Sequence, residues 1–415
     1  MLKKVIALIA AAALCAGGSA CGNKTAKTSS GEAATITWLM WGDKQIDQAS
    51  VNEKINEITM SKINAKLDIQ YIDQSAYSER MTMNMASGAD NYDLCFTGFV
   101  NSYKDAAEKG GLLDITDMLD KHEALKKSVP DYFWEGSAID GRIYAVPNQQ
   151  VVANAAALCV KKDLADEYGL KLDEIKYIDD IEPFLKWVKE KHPEVYPFRT
   201  SGISGYKGEA RKYKITSGVY ASVDNGKVTA HADYEAPDFG VLPRLYRDWF
   251  NKGYIRQDNA VATDDSQDYN AGKFAAWILA YKPGMEAEIY TSKGYEAYCK
   301  MITKPYIFGR VGTSTMTGIN AKSKNPEKAL DMIELIQTDK DLYNLICFGI
   351  EGKHYKMENN RVVSDKQAGY MPTWTWRFGN QFNALLIEGQ SDNVWEETEK
   401  FNVEAERELV GFSFN

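Results

Sequence analysis

Histidine is scarce in this chain, with only His122, His192, His231 and His354 among 415 residues. No two of them share an H-E-x-x-H or other zinc-ligand spacing, so the usual metal-hydrolase signature is missing. The glycines at Gly202, Gly205 and Gly208 come without G-K-[ST] or G-x-G-x-x-G, and Ser204 is not in G-x-S-x-G. Neither a phosphate cradle nor a nucleophile elbow is therefore expected. Asp264, Asp265 and Asp268 stand close together, but the rest of a calcium loop is absent. Six cysteines include no C-x-x-C pair. An excess of basic charge is lacking as well: 49 Lys and Arg face 58 Asp and Glu, a net charge of -9. Phosphate backbones are bound by basic surfaces, so nucleic acid is not an expected partner. No metal and no cofactor are expected. A glycosidase-type carboxylate pair is the one catalytic pattern an acidic chain leaves open.

The N-terminus is the most specific segment. Lys3 and Lys4 precede the apolar run Val5–Leu14, and the small residues Gly17, Gly18, Ser19 and Ala20 lead to Cys21. That run is too short for a bilayer span and reads as a secretory signal over 1–20. A cysteine directly after small residues resembles a bacterial lipobox, with Cys21 lipidated and becoming the mature N-terminus. Gly18 stands where such boxes usually carry Leu. Residues 21–34 are polar and small, without an apolar period, as expected of a flexible tether. Cys15 would leave with the signal; Cys95, Cys159, Cys299 and Cys347 read as mostly buried thiols, with no pairing fixed by the sequence.

Beyond the tether, strands and helices alternate. Thr35–Met40 is β-branched and aromatic, a first strand. Val51, Ile55 and Ile58 share one helical face. Leu67, Ile69 and Tyr71 alternate as a second strand, Ser75 opens a helix, and Tyr92–Phe96 is a buried third strand. This βαβαβ order implies a parallel sheet covered by helices. Ala155–Val160 reads as a strand further on. Asp179 or Asp180 caps a helix with Ile181, Phe184, Leu185 and Val188 on one stripe and Pro183 in its first turn. Asn225-Gly226 marks a hairpin. After Ser323 the segment SKNPEKALDMIELI places Ala329, Ile333 and Ile336 on one stripe.

Several of these segments resemble landmarks of type II periplasmic binding proteins, in particular the sugar-binding extracellular solute-binding family 1. They are SGADNYDLCFTG (Ser87–Gly98), EKGGLLDITDML (Glu108–Leu119), IDGRIYAVPNQ (Ile139–Gln149), GKFAAWILAYKPGME (Gly272–Glu286) and TGINAKSKNPEKALDMIELI (Thr317–Ile336), in family order. GIEGKHYKMENNRV, from Gly349, and WTWRFGNQF (Trp374–Phe382) resemble a lipoprotein subgroup that usually adds an uncharacterised C-terminal domain. There, a segment like GFSFN (Gly411–Asn415) opens that domain, so the second lobe is expected to be incomplete at Asn415.

The resemblance implies an α/β, two-lobed periplasmic-binding-protein-like type II fold with a ligand cleft between the lobes. The first lobe is expected to comprise 35–148 and 316–347, the second 149–315 and 348–415. Crossings are expected near Pro147–Val151, Gly309–Thr317 and Cys347–Gly352. It also implies an extracytoplasmic, lipid-anchored, monomeric receptor that closes on a carbohydrate and delivers it to the permease subunits of an ABC importer, without turnover. A peptide or other organic solute is the alternative ligand, and a secreted carbohydrate-active hydrolase or surface adhesin the alternative class. A sugar site needs apolar faces against the ring and planar polar groups for the hydroxyls. Candidates are Trp41 and Asp43 beyond the first strand, Thr97 and Gly98 beyond the third, Gln149 at the first crossing, Trp277 and Tyr281 in the cleft-wall segment, and Trp374, Trp376 and Asn380 near the C-terminus. Trp187 and Trp249, on helical patterns, are expected in the core.

Overall fold

Ala34–Trp41 runs parallel to Ala65–Ile72 on one side and to Leu94–Gly98 on the other, with Trp38 opposite both Ile69 and Leu94. The computed structural model describes residues 33–87, 91–200, 213–216, 218–235, 240–259, 261, 265–309, 311–365, 367–372 and 374–410. The signal, Cys21, most of the tether, Gly202–Gly208, Asp264 and Gly411–Asn415 lie outside them. From Ala34 onward the chain forms one compact unit.

The expected βαβαβ order is present. Helix Gln48–Ile63 buries Val51, Ile55 and Thr59, so the buried stripe follows i, i+4, i+8, with Ile58 at its margin. Helix Gln74–Ser87 starts one residue before Ser75, and Asp73 accepts the Ser75 N–H at 2.8 Å. Asp73 is thus the capping side chain. What the local pattern could not reveal is the remainder of the sheet. Thr315–Ile319 returns from far along the chain and runs antiparallel between Leu94–Gly98 and Ala145–Pro147. Helix Pro326–Thr338 then packs on this core through Ala329, Leu330, Met332, Ile333 and Ile336.

A second sheet has the order Ala297–Met301, Ala156–Lys161, Phe274–Ala280, Tyr196–Arg199. Helix Glu182–Lys191 covers it with Phe184, Leu185 and Val188. Asp180 lies one turn before that helix, in the 3-10 turn Ile178–Ile181, where its carboxylate accepts the Lys176 and Tyr177 N–H groups. Asn225 and Gly226, both at positive φ, turn the hairpin between Val219–Asp224 and Lys227–Ala232, the conformation a tight hairpin requires. Trp249 is fully buried here, and Trp187 packs at the edge of the same core.

The C-terminal third departs from expectation. Tyr355, Val362, Tyr370, Phe378 and Ala384 join the first core, not the second. The chain does not cross at Cys347–Gly352. Gly349 (φ +78°) ends helix Lys340–Phe348, and the chain folds straight back. There the Ile350 N–H donates to His354 Nδ1 and the Tyr370 hydroxyl donates to Ile346 O. Later in the chain, helix Val394–Glu404 and strand Glu406–Val410 lie beside the stretches around 153–155 and 306–309, which join the first sheet to the second. Ala153, Ala155, Ile307, Val311, Phe401 and Ala405 form a small cluster at that point, and Tyr306–Gly309 pairs with Glu406–Val410.

Candidate functional site

Parallel strands that lie side by side bring their carboxyl ends to one rim, where open α/β sheets bind ligands. Two such ends meet here. Ala34–Trp41 finishes at Trp41, and Leu94–Gly98 carries Phe96 and leads into Phe99. Between Thr97 and Phe99 the backbone must bend sharply. Gly98 sits at φ +137°, and a Cβ there would come within 2.0 Å of Ser314 O, so only glycine fits. The segment 374–377 supplies the third side of the rim.

These pieces build an aromatic platform. Trp41 lies with its ring centroid 5.4 Å from Trp374, 5.7 Å from Phe99, 5.8 Å from Phe96 and 5.9 Å from Trp376. Exposure is graded across it: Trp41 is 2% exposed, whereas Trp374 is 52% and Phe99 56% exposed. Two large aromatic faces therefore stand open to solvent on a packed base. The Trp41 indole N–H is buried without an acceptor among the described residues, a donor that a bound polar group could satisfy.

Arg377 fixes the platform from behind. Its side chain is 1% exposed. Nη1 donates to Trp41 O at 2.6 Å and Nη2 to Pro372 O. The guanidinium carbon lies 5.0 Å from the Trp41 ring centroid and 4.8 Å from that of Phe378. Gly42 makes room for it, since a Cβ there would stand 2.4 Å from Nη1. Burial pushes the Arg377 pKa below its ordinary value, yet a guanidinium remains charged. The cation is compensated by two carbonyl dipoles and by aromatic faces, with no carboxylate bonded to it among the described residues.

Beside the platform opens a groove of about 570 Å³ whose walls include Asp43, Asp73, Gln74, Met371 and Trp374. Asp43 is exposed. Gln45 secures the wall, donating to Asp43 O and accepting the Met371 N–H. An apolar face next to carboxylates and an amide is a surface for a ligand with both C–H faces and hydroxyls.

Of the sequence candidates, Trp41, Asp43, Trp374 and Trp376 come together here. The others do not present free groups at this rim. The Thr97 hydroxyl is fully buried and donates to Asn101 O at 2.8 Å. Gly98 serves the bend. Gln149 and Asn380 form a backbone bridge to each other, with Gln149 Nε2 directed to Gln337 and Asn380 Oδ1 accepting the Phe382 N–H. Trp277 is fully buried in the second lobe's sheet, edge-on to Tyr269 and Tyr295. Tyr281 packs against Phe401 among the connecting segments. Asp265 and Asp268 are engaged by Arg199 and by Arg256 and Lys273. Phe99 and Arg377 were not picked out by the sequence. The signal for Phe99 was its place one residue after the strand-ending glycine. That for Arg377 was a cation inside W-T-W-R-F.

The sequence profile described as bacterial extracellular solute-binding protein matches residues 42–342. A carbohydrate ABC transporter substrate-binding protein of Streptococcus pneumoniae serotype 4 (strain ATCC BAA-334 / TIGR4) is 29% identical over 430 residues, covering all of this chain and 86% of that protein. Among solved structures, the N-glycan transport solute binding protein NgtS of Streptococcus pneumoniae is similar at 27% identity. The match has a TM-score of 0.79 and covers 92% of this chain and 85% of that one. Its complex with Man1GlcNAc matches with a TM-score of 0.68 at the same identity, covering 92% and 86%.

Proposed function

Because the chain belongs to the bacterial extracellular solute-binding protein family, we propose that it captures an oligosaccharide on the platform of Trp41, Phe99, Trp374 and Trp376 and delivers it to an ABC importer. The observation that carries this reading is the pair of half-exposed aromatic rings, Trp374 and Phe99, beside a groove walled by Asp43, Asp73 and Gln74. Aromatic faces cover the C–H side of a pyranose, while carboxylates and amides accept and donate to its hydroxyls. The transport role of the Streptococcus pneumoniae relatives, one of them seen with Man1GlcNAc, supports a glycan over a peptide.

In this reading the two lobes are built around the two cores, with connections near 148–155, 305–314 and 396–406. The receptor returns its sugar intact, acts as a monomer, and is held at the outer face of the membrane through a lipidated Cys21. Calorimetric titration with Man1GlcNAc and related oligosaccharides, with peptides as controls, tests the ligand class. Saturable binding of a glycan, recovered unchanged afterwards, is the expected result. Binding of peptides alone, or release of hydrolysed sugar, would sink it. The anchor has its own test: in Cys21→Ser the protein should leave the membrane fraction.

A further inference from the structure

The register of the second sheet puts two of the four described cysteines face to face. Ala156–Lys161 and Ala297–Met301 run antiparallel with Cys159 opposite Cys299. The phase of the ladder determines how closely their side chains approach. The Lys162 N–H donates to Glu296 O, and the Ile302 N–H donates to Ala156 O. Even-numbered residues of the first strand thus bond this neighbour, and Cys159 turns its backbone groups the other way, toward Trp277 on Phe274–Ala280. Cys299 faces outward from the sheet edge, and its N–H donates to the Glu286 carboxylate at 2.7 Å. The two cysteines therefore form a pair without mutual backbone hydrogen bonds. In such pairs the Cα atoms stand about 4.5 Å apart and the side chains are closest, a spacing a disulfide can bridge. Both side chains belong to the same small cluster, with Met285 and Ile289. Among the described residues Cys95 and Cys347 have no cysteine opposite them: Cys95 faces Leu39 and Gly318 across its strands, and Cys347 lies on helix Lys340–Phe348.

We propose that Cys159 and Cys299 are a redox pair that closes to a disulfide on the extracytoplasmic side, tying the edge strand to the centre of the second lobe. The compartment favours oxidation. Cys299 is partly exposed, whereas Cys159 is buried and its thiol is pushed well above its ordinary pKa, chiefly by that burial. Cys299 is accordingly the attacking group. After giving its proton to water it attacks one sulfur of an external low-molecular-weight disulfide, forms a mixed disulfide and expels one thiolate. Cys159 then loses its proton and attacks Cys299 Sγ, which releases the second thiolate. Two protein thiols are oxidised, one external disulfide is reduced, and the two protons end on the released thiols.

The test uses the full chain incubated with oxidised glutathione, then unfolded, alkylated and peptide-mapped without reductant. Cys159 and Cys299 should be recovered as one linked pair, with Cys95 and Cys347 alkylated. The oxidised protein should melt about 5 °C above the reduced one. Cys159→Ser should stall with glutathione held on Cys299. Recovery of both thiols alkylated from the wild-type chain, of glutathione retained on wild-type Cys299, or of either cysteine linked to another partner would overturn the proposal.

Discussion

Trp374 holds its backbone at φ +46°, a region that residues with a Cβ seldom occupy, while half of its ring remains in solvent. A strained, exposed tryptophan is poor economy for a core and good placement for a contact surface. Trp374→Ala should therefore weaken glycan affinity about 10- to 100-fold, at about 1–3 kcal/mol for a lost stacking face, and leave the melting temperature nearly unchanged. Titration calorimetry and thermal melts on the same sample check both halves. Trp41 behaves differently, being buried against four other rings. Trp41→Ala should lower stability by about 3–5 kcal/mol through the cavity left behind, and binding should fall with it. Equal stability losses for the two variants would contradict this division between contact and base. Sequence could name both tryptophans, Trp41 from its place at the first strand's end and Trp374 from the aromatic cluster near the C-terminus. It could not grade them, since exposure depends on Phe96 and Phe99 arriving from one distant segment and Arg377 from another.

At the scale of elements, two polar side chains tie together segments that are far apart in sequence. Asn402, on helix Val394–Glu404, is 1% exposed. Its Oδ1 accepts the Val152 and Ala153 N–H groups at 2.8 and 3.1 Å, and its Nδ2 donates to Gln150 O. Asn402→Ala leaves two backbone donors and one acceptor unpaired at the connection between the cores. About 2–4 kcal/mol of stability should be lost, measurable by urea unfolding, and Asn402→Asp should retain more of it by keeping the acceptor. The second tie is Asp47, at the start of helix Gln48–Ile63. Lys353, Ser50 and His354 hydrogen-bond its carboxylate and hold it well below the usual carboxylate range. The Ile350 N–H occupies His354 Nδ1, so Nε2 carries the proton given to Asp47. A folded pKa below the unfolded value of 3.8 means that the unfolded chain takes the proton first. The stabilisation is complete above that pH and declines as pH falls below it. Asp47→Asn should accordingly melt lower than wild type at pH 7, with the gap narrowing from pH 4 to pH 2. The helices and parallel strands were legible because their apolar spacing is local. The packing of 349–395 on the first core was not, because it rests on His354 reaching Asp47 and on Arg377 reaching Trp41, contacts between residues some 300 positions apart.

For the whole molecule, the platform belongs entirely to one side. Trp41, Phe96, Phe99, Trp374 and Trp376 all border the first core, and none comes from the sheet that holds Cys159 and Trp277. In the proposed reading the sugar seats on this platform while the lobes are apart, and contacts kept equally in open and closed forms shift neither. Closure must then be driven by contacts that the second lobe adds once the sugar is seated. Driving an open-to-closed ratio from 99:1 to 1:99 requires about 5.5 kcal/mol of such differential binding. Trp374→Ala should thus need more glycan to saturate, yet at saturation it should contract as fully as wild type. Small-angle scattering at matched occupancy measures this directly. A mutant that is saturated but still extended would transfer the closing force to the platform itself, and the second lobe would then follow the ligand without selecting the closed state.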